Sequence, residues 1–176
     1  MYRPGIDDPR RGPRAAWPRL SGALDLEALP RDPVGPESSL QIEAVIGRYA
    51  WALDERIPNL LGDCFVPDAV VERTIEEERA LPRLVGRDAI VRAHRQAWGL
   101  SAWAQTRHFL DIALTLKRGE DSAVALSRLL MTRTTEAGPK VIATGFERFE
   151  LSREESGWQI ESLLVGYDGP GPDIGA

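Results

Sequence analysis

The chain has 176 residues, of which 43% are hydrophobic, and a formal net charge of -5 at pH 7. That length fits one domain plus a tail with enough apolar material for a core, and no apolar run nears the ~20 residues of a membrane span. The acidic balance argues against nucleic-acid binding, which rests on neutralising phosphates with Lys and Arg; the lone Cys64 excludes an internal disulfide framework and a cysteine-cluster metal site.

Seven of the thirteen prolines fall between Met1 and Pro36, spaced too closely for most helices or strands. Arg3, Arg10, Arg11, Arg14 and Arg19 make this stretch locally basic. Residues 1–37 read as a leader, either mostly disordered or an arm that packs on a neighbouring subunit or covers a pocket mouth. Only Ser21–Leu29 leaves room for a short helix. The folded domain is assigned to residues 38–168, and residues 169–176 to a flexible tail.

Ser38 and Gln41 have the spacing of a capping box. Ile42, Val45, Ile46, Tyr49, Ala50 and Leu53 then recur at helical spacing and form one apolar face. The helix must end before Pro58. A short helix is expected over Asn59–Phe65, closed by Pro67, then a strand over Ala69–Thr74 and a loop over Ile75–Leu84 that contains Glu76, Glu77 and Glu78. A third helix starts at Gly86-Arg87-Asp88 and carries Ile90, Val91, Ala97 and Trp98.

From there the period falls to two, giving strands over Thr106–Lys117, Ser122–Thr134, Val141–Ser152 and Gly157–Val165. The short turns between them imply antiparallel pairing. Helices followed by an antiparallel meander make an α+β arrangement, with the helices on one face of the sheet.

No glycine-rich phosphate loop, dinucleotide fingerprint, nucleophile-elbow serine or zinc-protease motif is present. Two histidines and one cysteine, far apart, do not suggest a protein-bound transition metal, so the expected chemistry is free of cofactor and metal. With no apolar secretory stretch at the N-terminus, a cytoplasmic location is the default expectation.

His108 is the most informative residue. Strand alternation sets it on one face with Leu110, Ile112, Leu114 and Leu116, while Arg107 points the other way. An imidazole at one end of an inward apolar stripe is a natural general base or acid at neutral pH. Asp54 is its best partner. It sits in the last turn of the first helix, one turn after Ala50, where a carboxylate is unfavourable to the helix dipole by ~0.3–1 kcal/mol unless something holds it. For each residue alone, a solvated charge or a satisfied core histidine is the competing reading.

Further pocket candidates are Tyr49 and Leu53 on the first helix, Arg128 and Glu147 on the strands, and Trp103. Tyr49 also suits core packing, and the facing of Arg128 and Glu147 is ambiguous. Trp51, Trp98 and Trp103 suit a cavity lining, a core or a subunit contact equally. His94, flanked by arginines, reads as a surface residue, and Cys64 as a buried thiol.

Four segments, Arg48–Asp54, Cys64–Ala69, Gly86–Ile90 and Thr106–Leu110, resemble in order and spacing the SnoaL-like branch of the NTF2-like superfamily, nearest its scytalone dehydratase and hexachlorocyclohexane dehydrochlorinase members. The late Gly157-Trp158-Gln159-Ile160 resembles the start of that family's last strand. The resemblance implies a cone: a curved, mostly antiparallel sheet wrapped around a pocket, with three N-terminal helices. It places Asp54 and His108 at the family's proton-abstracting dyad. It also places Leu53 and Arg73 where the dehydratase has two tyrosines, and it offers no counterpart for that enzyme's second histidine.

The expectation is a cofactor-independent lyase or isomerase (dehydratase, dehydrohalogenase or cyclase type) for a small apolar carbonyl or ring compound. A non-catalytic binding or assembly module of the same fold is the alternative. An epoxide hydrolase would need an Asp–Arg–Asp set that finds no place here. The open sheet suggests a homodimer or homotrimer.

Overall fold

The computed structural model describes Pro18 and residues 24–75, 79–100 and 104–169. It is an α+β structure built on one curved, mixed sheet. Helix α1 spans Pro36–Asp54. Pro36 at the first helical position supplies a fixed φ and lacks only an N–H that would have no partner there, and Glu37 complements the positive end of the dipole. The helix therefore begins before Ser38, and the capping box does not form. The Ser38 hydroxyl instead accepts from Arg153 at 2.8 Å, and Gln41 donates to Glu37 at 3.3 Å. Its buried face is Ile42, Val45, Ile46, Tyr49, Ala50 and Leu53, as the periodicity requires.

Arg56, with φ of 57°, turns the chain into helix α2 (Pro58–Asp63). Strand β1 (Phe65–Ile75) follows at once, longer than expected, because Pro67 does not stop it. Pro67 falls where the β1 register shifts between Phe65 and Val70, a place where a missing N–H does little harm. Two short strands, β2 (Arg79–Ala80) and β3 (Leu84–Val85), pair antiparallel with β1 inside the stretch expected to be loop. Glu76, Glu77 and Glu78 lie outside the described residues.

Helix α3 spans Arg87–Leu100. The meander is β4 (Thr106–Lys117), β5 (Ser122–Thr135), β6 (Gly138–Glu154) and β7 (Gly157–Tyr167), all antiparallel to their neighbours. Strand β1 then runs parallel to β7, giving the order β2-β1-β7-β6-β5-β4 with β3 beside β1.

The core lies between α1, α2 and the inner face of the sheet. Ile42, Ile46, Leu61, Phe65, Phe149, Leu151 and Ile160 are fully buried there, each worth ~1.5–3 kcal/mol. Between β6 and β7 only glycine fits: a Cβ on Gly145 would stand 1.9 Å from the carbonyl oxygen of Gly166.

Further sequence expectations need correction. In β4 a bulge between Ile112 and Leu114 inserts one residue, and the parity flips. Leu110 and Ile112 pack on the core, but Leu114 pairs with Leu126 on the outer side and is 43% exposed. Residues 24–30 form bends rather than the end of a helix, since the Asp25 carboxylate takes the backbone N–H groups of Glu27 and Ala28. Another concerns His94 and is taken up with the site. After those bends, Asp32–Val34 lie along β4, with Lys117 N donating to Asp32 O at 2.7 Å and Val34 N to Thr115 O at 3.3 Å. Among the described residues no helix is long and apolar enough to cross a membrane.

Candidate active site

Helix α1 ends beside the start of β4, and this delivers a carboxylate to an imidazole. Asp54 Oδ1 lies 2.6 Å from His108 Nδ1. The backbone N–H of His108 also points at both carboxylate oxygens, at 3.1 Å each. Gln105 donates to the Asp54 carbonyl at 2.8 Å, so the helix end itself is tied to the strand. The Asp54 carboxylate is 7% exposed and the His108 ring 12%. Arg107, on the opposite parity, pairs with Glu55 and lies over the Trp51 ring at 5.6 Å. A carboxylate held by three contacts fixes ring orientation. With Nδ1–H donating to Asp54, the His108 Nε2 lone pair is free to take a proton.

A second group of polar side chains occupies the same inner face farther along the sheet. Register sets Arg73 of β1 beside Val165 of β7, and Val165 beside Glu147 of β6. One row on, Ile75 stands beside Tyr167. Glu147 is 1% exposed, and burial pushes its carboxyl up to about 8, against which the Tyr49 hydroxyl, donating to it, works only in part. Burial and the nearness of Glu147 raise Tyr167 to about 12 and hold Tyr49 well above its ordinary value. Tyr49 is fixed edge-on between Phe65 at 5.9 Å and Phe149 at 5.8 Å. Two buried atoms of this group have no hydrogen-bond partner, Glu147 Oε2 and Arg73 Nε.

His94 is half-buried rather than a surface residue. Its ring meets Trp98 at 6.1 Å, and burial, then Arg73, then His108 lower it to about 4. The flanking Arg92 and Arg95 obscured this in the sequence, although Ile90 and His94 stand one helical turn apart and so share a face.

Of the other sequence candidates, Tyr49 and Glu147 face inward, and Leu53 is a core residue at 5% exposure. Arg128 does not join them. It points outward with a 75% exposed side chain and pairs with Asp111 at 2.5 Å, because Ser127 takes the inward position. Trp103 lies outside the described residues. Trp51 is 61% exposed, and Cys64 is fully buried with its thiol pushed up to about 11 by burial. Tyr167 was missed because the last strand was expected to end at Val165, two residues short.

Among the described residues no group of three or more His, Cys, Asp or Glu side chains is arranged to hold a metal ion. An open cleft of about 770 Å³ between α2 and α3 is lined by Asp63, Arg87, Arg92 and Arg95, among others, and includes neither Asp54 nor His108.

A family model described as SnoaL-like domain matches residues 37–163. No curated protein matches the chain. Among solved structures, Aln2 from a Streptomyces species is 22% identical with a TM-score of 0.68, over 78% of this chain and 95% of that one. An NTF2-like protein with a cystatin-like fold from Novosphingobium aromaticivorans is 20% identical with a TM-score of 0.61, over 93% and 92%. The beta subunit of a candidate aromatic-ring-hydroxylating dioxygenase from the same organism is 15% identical with a TM-score of 0.65, over 74% and 88%.

Proposed function

The chain belongs to the SnoaL-like domain family, and we propose that it is a cofactor-independent lyase or isomerase acting on a small apolar carbonyl or ring compound. The observation that carries this reading is the 2.6 Å contact between His108 Nδ1 and a buried Asp54 carboxylate. A carboxylate on a helix C-terminal turn is unfavourable to the dipole. Its retention there, aimed at an inward imidazole, is what a proton-abstracting pair needs.

In the reaction, His108 Nε2 takes a proton from a carbon next to the substrate carbonyl. The C–H electron pair forms a C=C bond to the carbonyl carbon as the C=O π pair moves onto oxygen, giving an enolate. In an elimination, the oxygen pair re-forms C=O, the C=C pair shifts to the adjacent C–C bond, and the leaving group departs from the β carbon with its own bonding pair. In an isomerisation, the oxygen pair re-forms C=O and the imidazolium returns the proton to a different carbon of the conjugated system. Asp54 stabilises the imidazolium throughout and keeps its own negative charge. Exclusion of water from a largely buried pair strengthens that stabilisation.

The test uses turnover of a competent ring ketone or its hydroxy precursor, followed by absorbance. His108→Ala and Asp54→Asn are each expected to lower kcat at least ~100-fold, within the range for a positioned general base, with circular dichroism unchanged. Full activity in either variant removes the assignment.

A second reading rests on the likeness to a dioxygenase beta subunit: an assembly module in which the same pair only ties α1 to β4. The exposed outer-face residues Phe109 (55%), Leu130 (38%) and Val141 (62%) support self-association as a homodimer or homotrimer. Light scattering on wild type and Leu130→Glu tests it; a monomeric wild type rules it out.

A further inference from the structure

We infer that the cleft between α2 and α3 is a second ligand site, for a small molecule that carries a phosphate or diphosphate group. It shares no lining residue with the Asp54–His108 pair, so it stands or falls independently of the proposed reaction.

The two helices meet at the cleft floor. A Cβ on Gly62 of α2 would stand 3.6 Å from Val91 Cγ2 and 3.7 Å from Arg87 Cδ, both on α3. Above that floor the walls part and leave about 770 Å³, inside the ~300–1,000 Å³ range of small-molecule sites. Three guanidinium groups line the space, those of Arg87, Arg92 and Arg95, and all come from α3. Arg87 is pinned in place. Its Nε donates to the Phe65 carbonyl at 2.8 Å and its Nη2 donates to the same oxygen, while Nη1 takes part in neither bond. Arg92 and Arg95, three residues apart, are neighbours on one helix face.

These two arginines differ from most others on the surface in being unmatched. Arg83 pairs with Glu72, Arg107 with Glu55, Arg118 with Glu150 and Glu161, Arg128 with Asp111, and Arg148 with Glu150. Among the described residues Arg92 and Arg95 have no hydrogen bond or ion pair, although Asp88 stands one helical turn before Arg92. The whole chain carries a net charge of -5, so two unmatched cations side by side in a concavity run against its overall field. Asp63 and Asp88 also line the cleft and leave its excess positive charge small. Long-range attraction is therefore weak, and short-range geometry selects the ligand. A guanidinium meets an oxyanion with two parallel N–H···O bonds. A phosphate brings three terminal oxygens and close to two negative charges, enough to engage Arg92 and Arg95 together. A single carboxylate has only two oxygens and one charge. Both arginines are exposed, so no protein group has to leave to admit the anion.

The experiment measures binding without turnover. Pyrophosphate, and citrate as a carboxylate anion of similar charge, are titrated into the full chain at fixed ionic strength, and backbone amide shifts are followed by nuclear magnetic resonance. Wild type is expected to bind pyrophosphate about 10-fold or more tightly than citrate, with the shifts centred on α2 and α3. Arg92→Gln combined with Arg95→Gln is expected to weaken pyrophosphate binding by about 10-fold or more, the scale of a lost hydrogen bond to a charged group. Arg128→Gln, which removes an exposed arginine from the outer sheet face, and His108→Ala are expected to bind it as wild type does. No pyrophosphate binding up to millimolar concentration, or equal wild-type affinity for the two anions, overturns the site and needs no variant to fold. Unchanged affinity in the double variant overturns it as well. None of these outcomes touches the dyad, which is judged by turnover.

Discussion

The two polar ends of the sheet's inner face are built on opposite principles. At the β4 end, Asp54 is satisfied several times over, by the His108 ring and the His108 backbone N–H, with Gln105 bracing the helix end behind it. At the β6 end, Glu147 is buried at 1% exposure with one oxygen unmet, beside an arginine whose Nε is also unmet. A satisfied buried charge holds a geometry, whereas a buried polar atom left without a partner costs free energy. The first region thus contributes to stability, and the second draws on it.

The sharpest way to break that comparison is through pH. Glu147 holds its proton to about 8 in the folded chain and only to 4.5 otherwise. Between those values the unfolded state releases a proton the folded state keeps, so stability falls as pH rises, by on the order of 5 kcal/mol in all. His94 works in reverse. It is lowered to about 4 from 6.5, so the unfolded state holds a proton the folded state refuses, and stability rises between those values. The opposing slopes should leave thermal stability nearly flat from about pH 4.5 to 6.5 and falling from there to pH 8. In Glu147→Gln the fall above pH 6.5 is expected to vanish; if it persists, burial of Glu147 is not what destabilises the chain. The neighbouring Tyr49 and Tyr167, both raised, do not titrate into this window.

A smaller effect sharpens the other side. Asp54→Ala removes the acceptor for a ring nitrogen and a backbone N–H in a buried setting, and is expected to cost about 2–3 kcal/mol in urea unfolding. Asp54→Asn keeps an acceptor oxygen and should recover at least half of that. If Asp54→Ala is as stable as wild type, the carboxylate is not the brace described, whatever its part in turnover.

What the sequence disclosed about these regions divides along the same line. Asp54 and His108 were legible because each lies on a strongly periodic element, one at the end of a helical stripe and one at the start of an alternating strand. The buried polar group at β1, β6 and β7 was not, for three physical reasons. Arg73 and Glu147 come together only through the parallel β1–β7 pairing, which no local pattern announces. Tyr167 lay past the expected end of its strand. His94 was masked by arginines on either side. Bulges did further damage: alternation in β4 holds from Thr106 to Ile112 and then fails, because one inserted residue reverses the facing of everything after it. Parity is a dependable guide only up to the first bulge.

Arg128 supplies the smallest and strictest test of that lesson. By sequence it was as plausible a pocket residue as Glu147, since both are charged residues within strands. The register separates them: Arg128 faces Phe146 and Asp111 on the outside of the sheet, while Glu147 faces Ser127 on the inside. Its ion pair with Asp111 is between side chains 75% and 66% exposed, so solvent screens most of its worth. Arg128→Ala is therefore expected to change unfolding free energy by less than about 0.5 kcal/mol, whereas Glu147→Ala, at a position 1% exposed, changes it by more. A large effect of Arg128→Ala on stability would mean that the β5 register is displaced by one residue, and the inward row containing Ser127 and Glu147 would then have to be redrawn.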